Sequence, residues 1–134
     1  MVYLKRKIDA FLTEWKNNPD RKPLIVKGPR QVGKTESIQR FGSRNYQSVI
    51  YINFVEEPKY KMITTDGYKA ENIVKNISRM DPSKRFLEGN TLIFFDELQE
   101  FPDIATALKF FKIDGRFDVI CSGSMLGINY RKIE

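Results

Sequence analysis

A glycine-rich segment at residues 28–35 places narrow limits on the local structure of this chain. It reads Gly-Pro-Arg-Gln-Val-Gly-Lys-Thr and so matches the pattern G-x-x-x-x-G-K-[ST]. The apolar residues 24–26 precede it, and a stretch predicted to be helical follows it. Gly28 and Gly33 let the backbone turn closely around an anion because they have no Cβ. The segment therefore predicts a phosphate-binding loop between a buried strand and a helix.

Each fixed position of this loop has a predicted task in binding a nucleoside triphosphate. The N–H groups of the loop and of the first helical turn would point at the phosphates. Lys34 would reach the β- and γ-phosphates as a catalytic group, and the Thr35 hydroxyl is a predicted Mg²⁺ ligand. Arg30 has two possible roles that the sequence does not distinguish. It could contact phosphate or a neighbouring subunit, or it could be a surface arginine that ties the loop to the N-terminal helix. The predicted nucleotide-binding residues are Gly28, Pro29, Arg30, Gln31, Val32, Gly33, Lys34, Thr35 and Glu36.

Two acidic residues, Asp96 and Glu97, directly follow the apolar residues 92–95. The carboxyl ends of parallel strands face the ligand site of an α/β sheet, so Asp96 is predicted to hold Mg²⁺ through its water shell, opposite Thr35. Glu97 is predicted to be the general base that polarises the attacking water. A strand that ends in two acids is, on its own, more often a solvated turn. The 61 positions from Thr35 to Asp96 accommodate a helix, a strand and a second helix, which favours the catalytic interpretation.

Small hydroxyl residues end the next predicted strand, at Ser122 and Ser124. Either hydroxyl is a candidate catalytic group that contacts the γ-phosphate or the attacking water and senses hydrolysis. A simple strand-ending turn is the alternative. Gln99 and Glu100 continue the acidic loop, where we predict capping or an ion pair rather than chemistry.

Strands and helices alternate along the chain, which predicts a parallel sheet covered by helices on both faces. The fold class is therefore α/β, a three-layer α/β/α sandwich, in one domain over residues 1–134. An N-terminal amphipathic helix is expected at 3–17, and the nucleotide-binding sheet and helices at 23–134. A loop is expected through Gly42 and Ser43, and another at 55–67. The predicted strands are 24–26, 48–54, 91–95 and 118–121, and the further helices are 33–41, 68–80 and 104–111.

The composition of the chain indicates which kinds of partner it binds and in which compartment it is found. The net charge of +6 favours anionic partners such as nucleotide, nucleic acid or an acidic protein, although solvated faces also carry such clusters of lysine and arginine. No apolar run approaches the ~18 residues of a membrane span, and no secretory signal opens the chain. Cys121 is a single cysteine and is read as a reduced core thiol. We therefore expect a cytoplasmic protein with no membrane partner.

The phosphate loop, the acidic strand end and the serine-bearing strand, in this order, resemble the AAA+ ATPases. These belong to the P-loop NTPase group with an additional strand and a catalytic glutamate beside the Mg²⁺-binding aspartate. The chain is more closely similar to prokaryotic AAA-like ATP-binding proteins with the motifs G-x-R-Q-V-G-K-T, D-E-[IL]-Q and x-G-S. Here these are residues 28–35, 96–99 and 122–124, and the resemblance covers essentially the whole chain. It implies ATP as the nucleotide, Mg²⁺ as the metal and a homo-oligomer among the partners.

The resemblance also implies a longer protein. Family members carry a C-terminal region of a DUF4143 type after the ATPase module, which would be a further partner. The chain ends at Glu134, so the fifth strand, the helical lid and an arginine-bearing second sensor have no predicted counterpart. We therefore expect a C-terminally truncated ATPase core with little turnover, because the lid normally closes the site against water.

Three functions are compatible with these motifs. The leading hypothesis is an ATPase motor or switch, in which hydrolysis moves attached domains. The alternative is a nucleotide-dependent DNA- or RNA-binding module with little or no turnover. The net charge favours it weakly. The rings of Tyr46, Tyr51, Tyr60 and Tyr68 are of a kind that stacks on bases, but most of them sit where core or strand residues are expected. A nucleotide or small-molecule kinase shares the phosphate loop, but Glu97 stands where such a kinase needs a pocket for its acceptor.

Overall fold

The computed structural model describes residues 2–28 and 33–124, with side chains described from Lys7 onward. Its four α-helices are α1 (Val2–Asn17), α2 (Lys34–Asn45), α3 (Ala70–Met80) and α4 (Asp103–Asp114). The strands are β1 (Leu24–Lys27), β2 (Ser48–Asn53), β3 (Thr91–Asp96) and β4 (Asp118–Gly123). Two 3₁₀ helices lie at Pro58–Thr64 and Leu98–Glu100.

The four strands form one parallel sheet in the order β1-β4-β3-β2. The two central strands, β3 and β4, have neighbours on both sides and helices over both faces, which is why all of their residues except Asp118 are buried. At the carboxyl end of the sheet, Asn53, Asp96 and Ser122 lie in one row across β2, β3 and β4. The sheet thus brings the polar ends of three strands to one edge.

Successive side chains of a strand point to opposite faces of the sheet, and here each face has its own apolar core. One core joins the sheet to α1 and α2 and contains Leu12, Ile38, Phe41, Leu92, Phe94 and Ile120. The other joins the sheet to α3 and α4 and contains, among others, Ile73, Ile77, Phe95, Ile104, Phe111 and Val119. The predicted three-layer α/β/α sandwich with a parallel sheet is therefore confirmed.

Helix α1 supports the helix that follows the phosphate loop. The ring of Trp15 packs against that of Phe41 with 6.3 Å between centroids, and its indole N–H donates to the carbonyl of Lys22 at 2.8 Å. The carboxylate of Asp9 accepts hydrogen bonds from the guanidinium of Arg40 at 3.1 and 3.2 Å. These contacts fix α2 against α1, and α1 against the segment that leads into β1.

Helix α2 runs to Asn45, so the loop expected through Gly42 and Ser43 is wrong. A Cβ on Gly42 would lie 3.0 Å from side-chain carbons of both Leu92 and Val49. The glycine therefore marks a place where the helix lies close against the sheet, and the helix continues past it. The carbonyl of Gly42 still accepts a hydrogen bond from the N–H of Tyr46, at 3.0 Å, where the helix ends.

The connection between β2 and α3, expected to be a loop, contains the 3₁₀ helix Pro58–Thr64. Its side chains Tyr60 and Ile63 are almost fully buried in the core on the α3 side. A 3₁₀ helix has three residues per turn, so its apolar residues do not show the 3.6-residue period by which α-helices are recognised. This segment is part of the folded core.

Two expectations drawn from composition can be compared with the fold. Cys121 is fully buried in β4, as a core thiol should be, and burial raises the pKa of its thiol. Within residues 2–28 and 33–124, none of the helices has both the length and the apolar character needed to cross a membrane. A fifth strand and a lid are not among the elements of these residues.

Candidate functional site

A cavity of about 420 Å³ opens at the carboxyl end of the sheet, beside the N-terminus of α2. It brings together most of the site residues expected from sequence that the structure describes. Gln39 is an addition that the sequence motifs did not indicate. The lining residues are Gly33, Lys34, Thr35, Glu36, Gln39, Asp96, Glu97, Ser122 and Gly123.

The N-terminus of α2 is shaped to receive an anion. Gly33 adopts a left-handed conformation with φ 71° and ψ 29°, which a residue with a Cβ adopts only with strain. As the N-cap, Gly33 has no side chain that could occupy the helix end, and the helix dipole places positive potential there. Pro29, Arg30, Gln31 and Val32, which were expected to complete the loop, lie outside the described residues.

Lys34 is buried, with 6% of its surface exposed, yet it carries a charge that has to be compensated. Its ammonium group donates a hydrogen bond to the carbonyl of Gly28 at 2.6 Å, across the phosphate loop. Gly28 itself does not line the cavity, and its φ of 154° falls in the range that glycine tolerates best. The lysine is thus held at the base of the loop.

The hydroxyl of Thr35 donates a hydrogen bond of 2.7 Å to Oδ2 of Asp96. This contact joins the first turn of α2 to the end of β3 across 61 positions of sequence. A hydroxyl and a carboxylate side by side are the hard oxygen ligands that Mg²⁺ prefers. The chemistry of the two residues fits the Mg²⁺ ion that the motifs imply, for which Thr35 would be a direct ligand and Asp96 a partner of the water shell.

Tyr51, one of the rings that could stack on bases under the alternative function, contacts Asp96 instead. Its hydroxyl donates to Oδ2 of Asp96 at 2.8 Å, and the side-chain amide of Asn53 donates to that hydroxyl at 3.2 Å. Burial is the main reason that the pKa of Tyr51 is raised, and the hydrogen bond to Asp96 adds to it. The phenol therefore keeps its proton and acts as a donor. The register Tyr51–Phe94 across β2 and β3 could not be read from the sequence.

Glu97 has a left-handed backbone, with φ 59° and ψ 49°, and is the one non-glycine residue with positive φ among residues 2–28 and 33–124. This conformation turns the chain sharply after β3 and places the side chain at the cavity. The N–H of Glu97 donates to Oδ1 of Asp96 at 2.8 Å. Oε1 of Glu97 accepts a hydrogen bond from the amide of Gln99 at 2.7 Å.

The two candidate sensor serines occupy different positions. Ser122 pairs with Asp96 across the sheet, lines the cavity and is fully buried. Its hydroxyl finds no hydrogen-bond partner in the described part of the chain. Ser124 is also buried, but it does not line the cavity, and its backbone N–H donates to the amide oxygen of Gln99 at 3.1 Å. The structure therefore brings Ser122 to the site and leaves Ser124 beside it.

The other tyrosines suggested for base stacking are engaged elsewhere. Tyr60 is 1% exposed, and Tyr46 is 8% exposed with its hydroxyl 2.6 Å from Oδ2 of Asp118. The hydroxyl of Tyr68 donates to Asp103 at 3.2 Å. Tyr46 and Tyr60 are thus core residues, as their positions in the sequence indicate, and folding leaves their rings unable to stack on bases.

Known proteins resemble this chain in sequence and in structure. A family model described as an AAA domain matches residues 20–134. Among solved structures, PCH-2 from C. elegans is similar with 11% sequence identity and a TM-score of 0.46. The similarity covers 95% of this chain and 35% of that chain, so the chain spans about a third of its length. No curated protein matches the sequence.

Proposed function

The chain belongs to the AAA domain family over residues 20–134, and we propose that it binds Mg-ATP and hydrolyses it as a motor or switch within a larger protein. The observation that carries this proposal is the 2.7 Å hydrogen bond between Thr35 and Asp96. It joins the helix that would hold the phosphates to the strand end that would hold the metal and the catalytic base.

Phosphate binding falls to the N-terminus of α2 and to Lys34. The helix N-terminus offers backbone N–H groups and positive potential to the phosphate oxygens. The Lys34 ammonium, now 2.6 Å from the carbonyl of Gly28, is close enough to the loop to exchange this partner for the β- and γ-phosphates. Glu36, in the first turn of α2, lines the same cavity.

Thr35 and Asp96 would hold Mg²⁺. When bound, the ion supplies positive charge beside the phosphate oxygens. Glu97 would accept a proton from the water that attacks the γ-phosphate, since its carboxylate lies at the cavity next to Asp96. Ser122, buried in the cavity wall, is the better placed of the two serines to contact the γ-phosphate.

Nucleotide binding by the purified chain tests this proposal. We expect Mg-ATP to bind at micromolar affinity or weaker, on the order of −8 kcal/mol at best. Lys34→Ala should lose most of this binding because it removes the charge at the base of the loop. Lys75→Ala, which removes an exposed lysine from α3, is the matched control. Equal affinity of the Lys34→Ala variant and the wild type would refute the phosphate-binding role.

Hydrolysis is tested separately from binding. Glu97→Gln should bind Mg-ATP like the wild type but hydrolyse it at least about 100-fold more slowly, because the amide cannot accept the proton from water. Little turnover is expected from the chain alone. The C-terminal region and a homo-oligomer, in which a neighbour's arginine completes the site, are the proposed partners. Steady turnover by the isolated chain would contradict the need for them.

One observation favours a second candidate, a nucleotide-dependent DNA- or RNA-binding module. Four lysines line a groove of about 850 Å³ beside the edge strand β1, at Lys22, Lys27, Lys109 and Lys112. Binding there would be mainly electrostatic, so the logarithm of the DNA-binding constant should fall linearly with the logarithm of salt concentration. Absence of a salt-dependent DNA affinity, with or without nucleotide, would remove this candidate.

A further inference from the structure

We propose that Gln99 is a positioning residue that fixes the direction of the Glu97 carboxylate and ties it to the end of β4. The catalytic consequence rests on the proposed ATPase function, whereas the hydrogen-bonded link itself does not. Sequence motifs indicated only capping or an ion pair at this position. The geometry around the side-chain amide points to a more specific role.

Both the nitrogen and the oxygen of the Gln99 side-chain amide form hydrogen bonds. Its nitrogen donates to Oε1 of Glu97 at 2.7 Å, and its oxygen accepts from the N–H of Ser124 at 3.1 Å. A rotation of the amide by half a turn would face its oxygen towards a carboxylate and its N–H₂ towards an N–H, and would lose both bonds. The two partners therefore fix one orientation, and through it they are linked to each other.

The local backbone is built to allow this link. The left-handed conformation of Glu97 starts the 3₁₀ helix Leu98–Glu100, and this tight turn returns the side chain at position 99 towards the carboxylate two residues earlier. Such a conformation is disfavoured for a residue with a Cβ and persists only where its surroundings hold it in place. The Gln99 bond to Glu97 and the Glu97 N–H bond to Asp96 are two contacts that do so.

Gly123 provides the space on the β4 side. A Cβ there would lie 2.8 Å from Oε1 of Gln99 and 3.2 Å from the backbone nitrogen of Leu98. The strand can therefore approach the 3₁₀ turn closely only because this residue lacks a side chain. As a result, the end of β4, where Ser122 lines the cavity, and the carboxylate of Glu97 are held in a fixed relation.

A fixed relation matters because a general base works only when it is aligned with the water it activates. A displacement of the base by about 1 Å can lower the rate by about 100-fold. Gln99 does not line the cavity, so its effect on hydrolysis would act through Glu97. Loss of Gln99 should accordingly lower the rate of hydrolysis without weakening nucleotide binding.

Two substitutions separate the two bonds. Gln99→Met keeps the length of the side chain but removes both bonds, whereas Gln99→Glu keeps an acceptor for the Ser124 N–H and removes the donor to Glu97. Gln47→Met is the matched control, because Gln47 is exposed before β2, at the opposite end of the parallel sheet. Each variant is assayed for ATP affinity and for single-turnover hydrolysis with the chain in excess.

We expect both Gln99 variants to bind ATP like the wild type and to hydrolyse it about 10- to 100-fold more slowly. In NMR spectra without nucleotide, the Ser124 amide proton should move upfield in Gln99→Met. In Gln99→Glu, which keeps an acceptor, it should not move upfield. The side-chain amide protons of Gln99 should move upfield in Glu97→Ala. Gln47→Met should leave these rates and resonances unchanged.

A wild-type hydrolysis rate in both Gln99 variants would overturn the positioning role. Unchanged Ser124 and Gln99 resonances would overturn the link, whatever the enzymatic result. If the wild type binds no ATP, the ATPase proposal fails by itself, and the NMR spectra without nucleotide still decide whether Gln99 joins Glu97 to β4.

Discussion

The carboxylate of Asp96 is oriented by hydrogen bonds from its protein neighbours. One oxygen accepts hydrogen bonds from Thr35 and Tyr51, and the other accepts from the N–H of Glu97. Asp96 is only 5% exposed, and a buried carboxylate without such partners would be strongly unfavourable. The proposed metal site is therefore preorganised, which avoids the reorganisation that binding would otherwise require.

This orientation predicts a role for Tyr51 in metal affinity. Tyr51→Phe removes one donor to Asp96 and keeps the ring, which packs against Phe94 with 5.1 Å between centroids. Because groups that orient metal ligands typically affect affinity 10- to 100-fold, the Mg²⁺ concentration needed for ATP binding should rise by about 10-fold. A Mg²⁺ titration of ATP binding, starting from protein treated with a chelator, measures this concentration. Tyr68→Phe is the control, and an unchanged titration in Tyr51→Phe would contradict this role.

Tyr46 predicts how stability depends on pH. Burial first, and then its hydrogen bond to Asp118, raises the pKa of Tyr46 above its ordinary value of 10.0. The folded state therefore holds the phenolic proton more tightly than the unfolded state, so its contribution to the free energy of unfolding is complete below pH 10.0 and decreases above it. Denaturant unfolding between about pH 8 and about pH 11 should show this decrease. Tyr46→Phe should make it less steep, and an unchanged slope would disprove the assignment.

At the scale of elements, helix α2 depends on the absence of a side chain at Gly42. Gly42→Val places a branched side chain where even a Cβ would be 3.0 Å from Leu92 and Val49. Overpacking of this kind should lower the free energy of unfolding by about 1–3 kcal/mol. Ser43→Val, one residue further along the same helix and exposed, should change it by less than about 0.5 kcal/mol. Urea unfolding of the two variants compares these values, and equal stability would contradict the close packing of α2.

The elements differ in how well the sequence predicts them. The central strands were recognised because burial on both faces leaves an apolar run, and their parallel pairing followed from the alternation with helices. The end of α2 is predicted wrongly because a glycine is typical of a helix end, whereas Gly42 lies within the helix and permits its contact with the sheet. The 3₁₀ helix Pro58–Thr64 was missed because its period is not that of an α-helix.

The candidate site also contains residues that the sequence predicts and contacts that it does not. Lys34, Thr35, Asp96 and Glu97 belong to motifs whose spacing has a chemical reason, and the structure places all four at one cavity. The sequence could not show that Tyr51 meets Asp96, because that contact depends on the register of β2 against β3. The bond between Gln99 and Ser124 likewise depends on how closely β4 approaches the turn after β3.

At the scale of the molecule, the site lies where separate parts of the fold meet. Its residues come from the start of α2 and from the ends of β3 and β4, and the two cores on opposite faces of the sheet hold these parts together. A ligand bound to all of them would be lost when any part unfolds. Ligand binding and global stability should therefore be coupled.

This coupling predicts that Mg-ATP raises the unfolding temperature in proportion to the logarithm of its concentration. At a concentration about 100 times the dissociation constant, the gain should be about 2.7 kcal/mol, which is several degrees for a domain of this size. Glu97→Gln should keep the shift, because it changes the proposed base and leaves the phosphate site intact. Lys34→Ala should lose it, because its weakened binding leaves the folded state without its ligand. A thermal scan with and without Mg-ATP distinguishes these outcomes, and an undiminished shift in Lys34→Ala would mean that the nucleotide binds elsewhere.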